Sequence, residues 1–318
     1  MTSADRQIFE SQVRQMRPNG AQYSPAVRRF VPLLATEMPA PARPRLLDRL
    51  LAETAMALIY GDWGSGKSFL AVDIACHVAA SRPWRGRSVL GGAVIYFAGE
   101  AGRSIGQRVL AWLRRHAVPG LPLGIVDCAP DLLSGDGLDE AITEAKAFAE
   151  RLASPLRLLV IDTVHAAAPG CEENARDFGR ILASARRMVS ETGAAVALAH
   201  HAGKDSSRGA RGSNSLEAGV DLVLEVREEP AYRTVLVRKL RDGEPPELEP
   251  FVIDGVTVGE DEDGPITAGV AVAVEPRPVN MNDPRREEAR KRRAQGESIR
   301  TIAKAIGVGN ATIHRWLA

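Results

Sequence analysis

From about Ala55 onward the chain alternates short, nearly unbroken apolar runs with stretches whose apolar residues recur every three or four positions. The runs AMALIYG, AVIYFAGE, LGIVDC, LRLLVIDT, AAVALAHH and VDLVLEV predict strands buried on both faces, because a strand with one wet face would alternate apolar and polar residues. Helices are predicted between them at 67–80, 104–116, 138–153 and 174–192. This alternation predicts an α/β fold, a mostly parallel sheet flanked by helices. Two later runs, RTVLVRKL and EPFVIDGVTV, predict a terminal hairpin or meander.

The flanks read differently. In residues 1–45, prolines 18, 25, 32, 39, 41 and 44 interrupt every apolar stretch, which predicts a Pro/Arg-rich arm with little structure of its own. The α/β domain is then expected over 46–258 and an acidic, Gly/Pro-containing linker over 259–284. The tail, 285–318, has its own pattern. Ile299, Ile302, Ala303 and Ile306 fall on one helical face that Gly307 can end, and Asn310 can cap a second helix presenting Ile313, Trp316 and Leu317 to the same core. Helix, glycine-containing turn, helix is the spacing of a helix-turn-helix, a small all-α unit.

Composition adds little until charge is divided along the chain. The net +1 over 318 residues splits into +4 for residues 1–50, −9 for 51–283 and +6 for 284–318. An acidic body with a basic tail places any attraction to nucleic acid at the end of the chain. Three cysteines, Cys76, Cys128 and Cys171, are too few and too scattered for a disulfide framework or a zinc site. No apolar run reaches the roughly 18 residues needed to span a bilayer, and the start MTSADRQIFESQ lacks the basic and apolar regions of a secretory leader. No membrane partner and a reducing cytoplasm are expected.

The strongest chemical signal is GDWGSGKS, residues 61–68, between an apolar run and a helical pattern. It satisfies G-x-x-x-x-G-K-[ST] in the strand-to-helix context of a phosphate-binding loop. Gly61, Gly64 and Gly66 let the backbone curl so that the N–H groups of Asp62, Trp63, Ser65 and their neighbours through Phe69 can surround a nucleotide's phosphates at the positive end of a helix. Lys67 is placed to neutralise β- and γ-phosphate oxygens, and the Ser68 hydroxyl to join a Mg²⁺ shell.

Hydrolysis needs more: a carboxylate on the metal side and a group to orient water. Asp162, ending LRLLVIDT, is the candidate metal ligand, with Thr163 assisting. Glu100, ending AVIYFAGE, is the candidate for polarising the attacking water. His200 and His201 end AAVALAHH; neighbours on a strand face opposite ways, so at most one points into the site, and His201 is favoured slightly as a γ-phosphate sensor.

Taken together, GDWGSGKS, Glu100 in YFAGE, VIDT followed by EENA, HHAGK and RGSNSL resemble the RecA-like hexameric ATPases, and among them the plasmid RepA-type replicative helicases, over about residues 50–245. The resemblance implies a RecA-like P-loop core, with ATP and Mg²⁺, Glu100 as catalytic base and a homo-oligomeric ring, a hexamer, around single-stranded DNA. VRKLRDGE resembles the K-x-R-x-G element of DnaB-type ring helicases, which implies that Lys239 and Arg241 reach a neighbour's γ-phosphate, with Arg211 as a competing candidate. Loops 165–176 and 202–212 would line the channel, where Lys204, Arg208 and Arg211 could meet DNA phosphates.

The tail resembles the helix-turn-helix of resolvase-type and transposase-type proteins. Asn310, Ala311, Thr312 and Arg315 are the expected base-reading positions on duplex DNA, with Arg300 and Lys304 on phosphates. The expected function is an ATP-hydrolysing, DNA-associated motor of plasmid or phage replication. An ATP-switched DNA-binding regulator or loader that does not unwind, and a RecA-like recombination mediator, remain as alternatives.

Overall fold

The computed structural model describes residues 45–100, 102–201, 213–275, 283–308, 313, 316 and 317, with the backbone alone at Ser213, Asn214, Arg300 and Lys304. All of them belong to one compact unit, Arg43–Ala318. Apart from Arg45, the N-terminal arm lies outside the described residues. A short antiparallel pair, β1 (Arg45–Leu47) and β2 (Leu51–Ala52), leads into the main domain. There follow β3 (Met56–Gly61), α1 (Lys67–Ala79), β4 (Ala93–Ala98), α2 (Gly102–His116), β5 (Leu123–Val126), α3 (Leu138–Arg151), β6 (Leu156–Asp162), α4 (Ala175–Thr192), β7 (Ala195–His201) and the short α5 (Ser213–Gly219). The sheet closes with β8 (Leu222–Glu228), β9 (Arg233–Leu240), β10 (Phe251–Asp261) and β11 (Gly264–Ala273).

The expected α/β architecture is observed. Nine strands form one sheet in the order β11-β10-β9-β8-β3-β7-β6-β4-β5. The segment from β8 to β5 is parallel, and β9 to β11 add an antiparallel meander at one side. Successive residues of the central strands face opposite layers, and both layers are buried. In β3, Ala57 and Ile59 join α1 and α2, whereas Met56 and Leu58 join α3 and α4; in β7, Ala195 and Ala197 face the first layer, Val196 and Leu198 the second. Every parallel strand therefore ends at one sheet edge, the edge where the loops carrying Gly61, Glu100, Asp162 and His201 emerge.

One boundary needs correction. The stretch 259–284 is not linker throughout, because β11 pairs with β10 from Phe251↔Ala273 to Asp261↔Gly264. Its alternation of small residues, GPITAGVAVA, packs thinly over Phe69 and carries too little bulk to read as a strand. A β-carbon on Gly269 would lie 2.9 Å from the Phe69 ring, so the glycine permits this close approach.

In the tail, α6 (Arg285–Ala294) precedes α7 (Ile299–Ile306). Ser298 caps α7 by accepting from Thr301 N at 3.1 Å, and Gly307 ends it at φ 72° with its N–H on the Ala303 carbonyl. Ala289, Ile302, Ala303, Ile313 and Trp316 form a separate small core, the helical face expected of 299–306. The helix α6 was not anticipated. RREEARKRRA offers Ala289 as its one buried residue, and charge hides the pattern. Among the described residues, no helix is long and apolar enough to cross a membrane.

Candidate active site

The loop between β3 and α1 is shaped by its glycines. A β-carbon at Gly61 would lie 2.2 Å from the Val226 carbonyl oxygen, and Gly64 and Gly66 take φ of 79° and 101°, where only glycine is unstrained. Gly66 then starts α1, so that backbone donors converge at the helix N-terminus. Lys67 is 4% exposed, and its Nζ donates to the carbonyls of Gly61 (3.0 Å) and Asp62 (2.8 Å). Burial lowers its pKa, with Asp162, Asp62 and Glu100 pulling the other way. The ammonium is thus held at the loop by neutral carbonyls that phosphate oxygens can replace. Ser65 Oγ is buried without a partner among the described residues, and Asp62 and Trp63 are exposed, Trp63 at 88%.

The strand order brings the remaining residues to this loop. Because β7 is inserted between β3 and β6, His201 lies opposite Gly61 on one side, and Ala199 lies opposite Asp162 on the other. Asp162 is buried; its Oδ2 accepts from Tyr96 Oη at 2.6 Å, while Oδ1 has no partner among the described residues. Burial and the adjacent Asp162 charge raise the Tyr96 pKa far above its usual value, so the phenol stays a donor. An unpartnered carboxylate oxygen at a cavity that Ser68 also lines suits a hard, oxygen-preferring cation, so the residues present fit Mg²⁺.

This cavity, of about 250 Å³, lies between the loop and the sheet edge, lined by Gly64, Gly66, Lys67, Ser68 and Phe69 on one side and by Glu100, Asp162, Thr163 and His201 on the other. Glu100 stands in the turn after β4, its Oε1 accepting from Thr163 Oγ1 at 2.6 Å and its Oε2 3.9 Å from His201 Nε2. His201 shares the face of Ala195 and Ala197 and therefore points toward α1. His200 shares the face of Val196 and Leu198 and packs edge-on against Phe178, with ring centroids 5.8 Å apart. Burial, with His201 and Lys67 nearby, lowers the His200 pKa to about 4. His201 is also lowered, by burial and Lys67 against the opposing pull of Glu100.

Lys239 and Arg241 sit elsewhere. Strand β9 runs antiparallel to β8, which places Lys239 opposite Val223, near the start of the parallel strands and roughly 10 Å of strand away from the phosphate loop. Lys239 Nζ donates to the carbonyls of Glu217 and Ala218, both at 2.9 Å, at the end of α5. Arg241 pairs with Asp221 at 2.8 Å, and Asp221 Oδ2 accepts from Met56 N. Neither cation reaches the phosphate loop of its own chain. Lys204, Arg208, Arg211, Asn310, Ala311, Thr312 and Arg315 lie outside the described residues, as do the side chains of Arg300 and Lys304.

Three residues went unread in the sequence. Tyr96 orients Asp162 across neighbouring strands. Arg108 lines the cavity with its guanidinium 4.1 Å from the Phe69 ring centroid, its pKa lowered by burial against the pull of Tyr96 and Asp162. It lies between Ile105 and Trp112 on the buried stripe of α2, and a cation at a core-facing helical position was the available signal. Arg233 crosses over the loop, where a β-carbon on Gly66 would lie 2.8 Å from its Cδ, and pairs with Glu228 at 3.1 Å.

Residues 24–207, more than half of the chain, match the family model described as an AAA domain, and residues 276–318 match that of the helix-turn-helix domain of resolvase. The AAA match begins inside the stretch read as an arm. Among solved structures, one ATPase domain aligns with a TM-score of 0.47 at 13% identity, covering 63% of this chain and 81% of that one. No curated protein matches the chain.

Proposed function

We propose, from the premise that the chain belongs to the AAA domain family, that this ATPase is a DNA motor working as a ring of identical subunits, in the manner of plasmid or phage replicative helicases. The observation that carries the reading is the convergence of Lys67, Asp162, Glu100 and His201 on one cavity: a phosphate cation, a metal-side carboxylate, a base and a sensor.

In this reading Lys67 exchanges its two carbonyl acceptors for β- and γ-phosphate oxygens. Ser68 and Asp162 would hold Mg²⁺, which when bound would neutralise the phosphate charge. Glu100, oriented by Thr163, accepts the proton of the attacking water. His201, 3.9 Å from Glu100, registers the departing γ-phosphate and passes its loss to the loop that follows β7. In this reading Lys239 and Arg241, distant from their own chain's cavity, leave their local partners to serve an adjacent subunit, which makes turnover depend on assembly. The C-terminal helix-turn-helix adds a duplex anchor, with Arg300, Lys304, Asn310, Thr312 and Arg315 as its contacts.

That tail also favours a second reading, a loader or regulator that docks on duplex DNA and uses ATP to switch assembly. Strand separation on a forked duplex decides between them. The motor reading expects ATP-dependent unwinding that Glu100→Gln abolishes; ATP turnover and duplex binding without unwinding would establish the loader.

A further inference from the structure

A second cavity lies at the far end of the helix that begins in the phosphate loop. It measures about 310 Å³, between Asp73 and His77 of α1, the Trp84–Arg85 turn, Arg115 and His116 at the end of α2, and Ala271–Ala273 at the end of β11. Lys67 and Asp73 are separated by six residues, about 9 Å of helix, so this space is distinct from the ATP cavity. Its volume is near the lower limit of small-molecule pockets and exceeds that of a single inorganic ion.

Arg85 organises it. Trp84 and Arg87 exchange both backbone hydrogen bonds at 2.9 Å, and the two residues between them, Arg85 and Gly86, have φ of 47° and 73°. Such a turn favours glycine, asparagine or aspartate at its first central position, so an arginine is held there in a left-handed conformation that resists it. The strained backbone sends the side chain inward. Its Cζ lies 5.0 Å from the Trp84 ring centroid and 5.6 Å from that of Phe251, which fixes the guanidinium plane. Nη1 donates to the carbonyls of Glu249 and Pro250. The remaining edge, Nε and Nη2, is buried and meets no acceptor among the described residues. Those two N–H groups are the parallel fork that matches two oxygens of a carboxylate or a phosphate.

Asp73 and Glu249 act on the Arg85 charge through space, yet neither accepts a hydrogen bond from that fork. Asp73 is buried and already engaged: it accepts from Trp84 Nε1 at 2.8 Å and from Trp112 Nε1 at 3.3 Å, and it lies 3.4 Å from His77 Nε2. Arg115, half-exposed at the rim, reaches Asp254 only at 4.0 Å. Nδ1 of His77 is buried without a partner among the described residues, and His116 stacks on Trp112 at 4.1 Å. The result is a pocket with flat aromatic walls in which two arginines, Arg85 and Arg115, stand beside the one already engaged carboxylate, Asp73.

We propose that this cavity is a binding site for a small anionic ligand bearing a carboxylate or a phosphate, held side-on by Arg85 Nε and Nη2 with Arg115 as the second cation. The site is tested on the full chain carrying Lys67→Ala, which removes the phosphate loop's own contribution. Calorimetric titrations with inorganic phosphate and, separately, with citrate distinguish the two anion types. Saturable binding of either at one site per chain is expected, weakened about tenfold or more by Arg85→Lys, which keeps the charge but loses the fork. Should Arg85 variants fail to fold, Arg115→Gln at the rim is expected to weaken binding severalfold. Absence of binding by both anions, or affinities unchanged in the folded variants, would overturn the assignment.

Discussion

Thr163 Oγ1 donates a 2.6 Å hydrogen bond to Glu100 Oε1, tying the end of β6 to the turn after β4. The same oxygen accepts from Ala166 N at 3.3 Å, so the hydroxyl is fixed by the backbone before it fixes the carboxylate. Thr163→Val keeps the shape and removes that orientation. Turnover should fall about tenfold, equivalent to about 1.4 kcal/mol, while ATP affinity stays within about twofold. Steady-state kinetics beside equilibrium nucleotide titration separates the two.

Tyr96→Phe tests the support beneath Asp162. It leaves Asp162 Oδ2 buried without its 2.6 Å donor, in addition to an Oδ1 that already lacks one. Urea unfolding should show a loss of about 1–3 kcal/mol, the usual cost of a buried polar atom left unpaired. Unchanged stability would mean that Asp162 turns to another partner.

His200 sets a pH dependence. Its pKa in the fold is about 4, against an ordinary 6.5, chiefly because burial disfavours the charged ring. The unfolded chain therefore takes up the proton first. The stability associated with the neutral ring is complete above about pH 6.5 and is lost as pH falls toward 4, to an extent of up to about 3 kcal/mol. The difference in unfolding free energy between the parent and His200→Gln should narrow through that window; a difference independent of pH would contradict the buried neutral ring.

The sequence carries the central sheet well and its periphery poorly, for identifiable reasons. Long apolar runs such as LRLLVID can be buried only on both faces, so β3, β4, β6, β7 and β8 are legible without long-range information. β11 is built of small residues such as glycine, alanine and valine, and gains its burial from Phe69 and the α1 layer, a contact that no local window contains. The strand-end residues Asp162, Glu100 and His201 were legible because chain direction alone brings parallel strand ends to one edge. Tyr96, Arg108 and Arg233 were not, because their roles arise from cross-strand register and from side chains returning to the loop from distant segments. Lys239 and Arg241 matched a motif, but their place at the opposite edge depends on the antiparallel turn into β9.

The tail should be separable from the ATPase domain. Ala289, Ile302, Ala303, Ile313 and Trp316 form their own core, and every residue assigned to phosphate chemistry precedes residue 245. Truncation after residue 275 should keep ATP turnover within about twofold. It should also weaken binding to duplex DNA and flatten its salt dependence, because ten basic side chains leave with the tail. Filter binding across a salt series measures both effects.

The most direct measurement is ATP turnover against ATP affinity in Glu100→Gln, with Lys67→Ala alongside. Lys67→Ala should lose nucleotide binding, since its ammonium is the buried cation at the phosphate loop. Glu100→Gln should bind ATP as the parent does and turn it over at least about a hundredfold more slowly, the scale of a lost general base. Hydrolysis by Glu100→Gln at the parent rate would contradict the assignment of this cavity's chemistry.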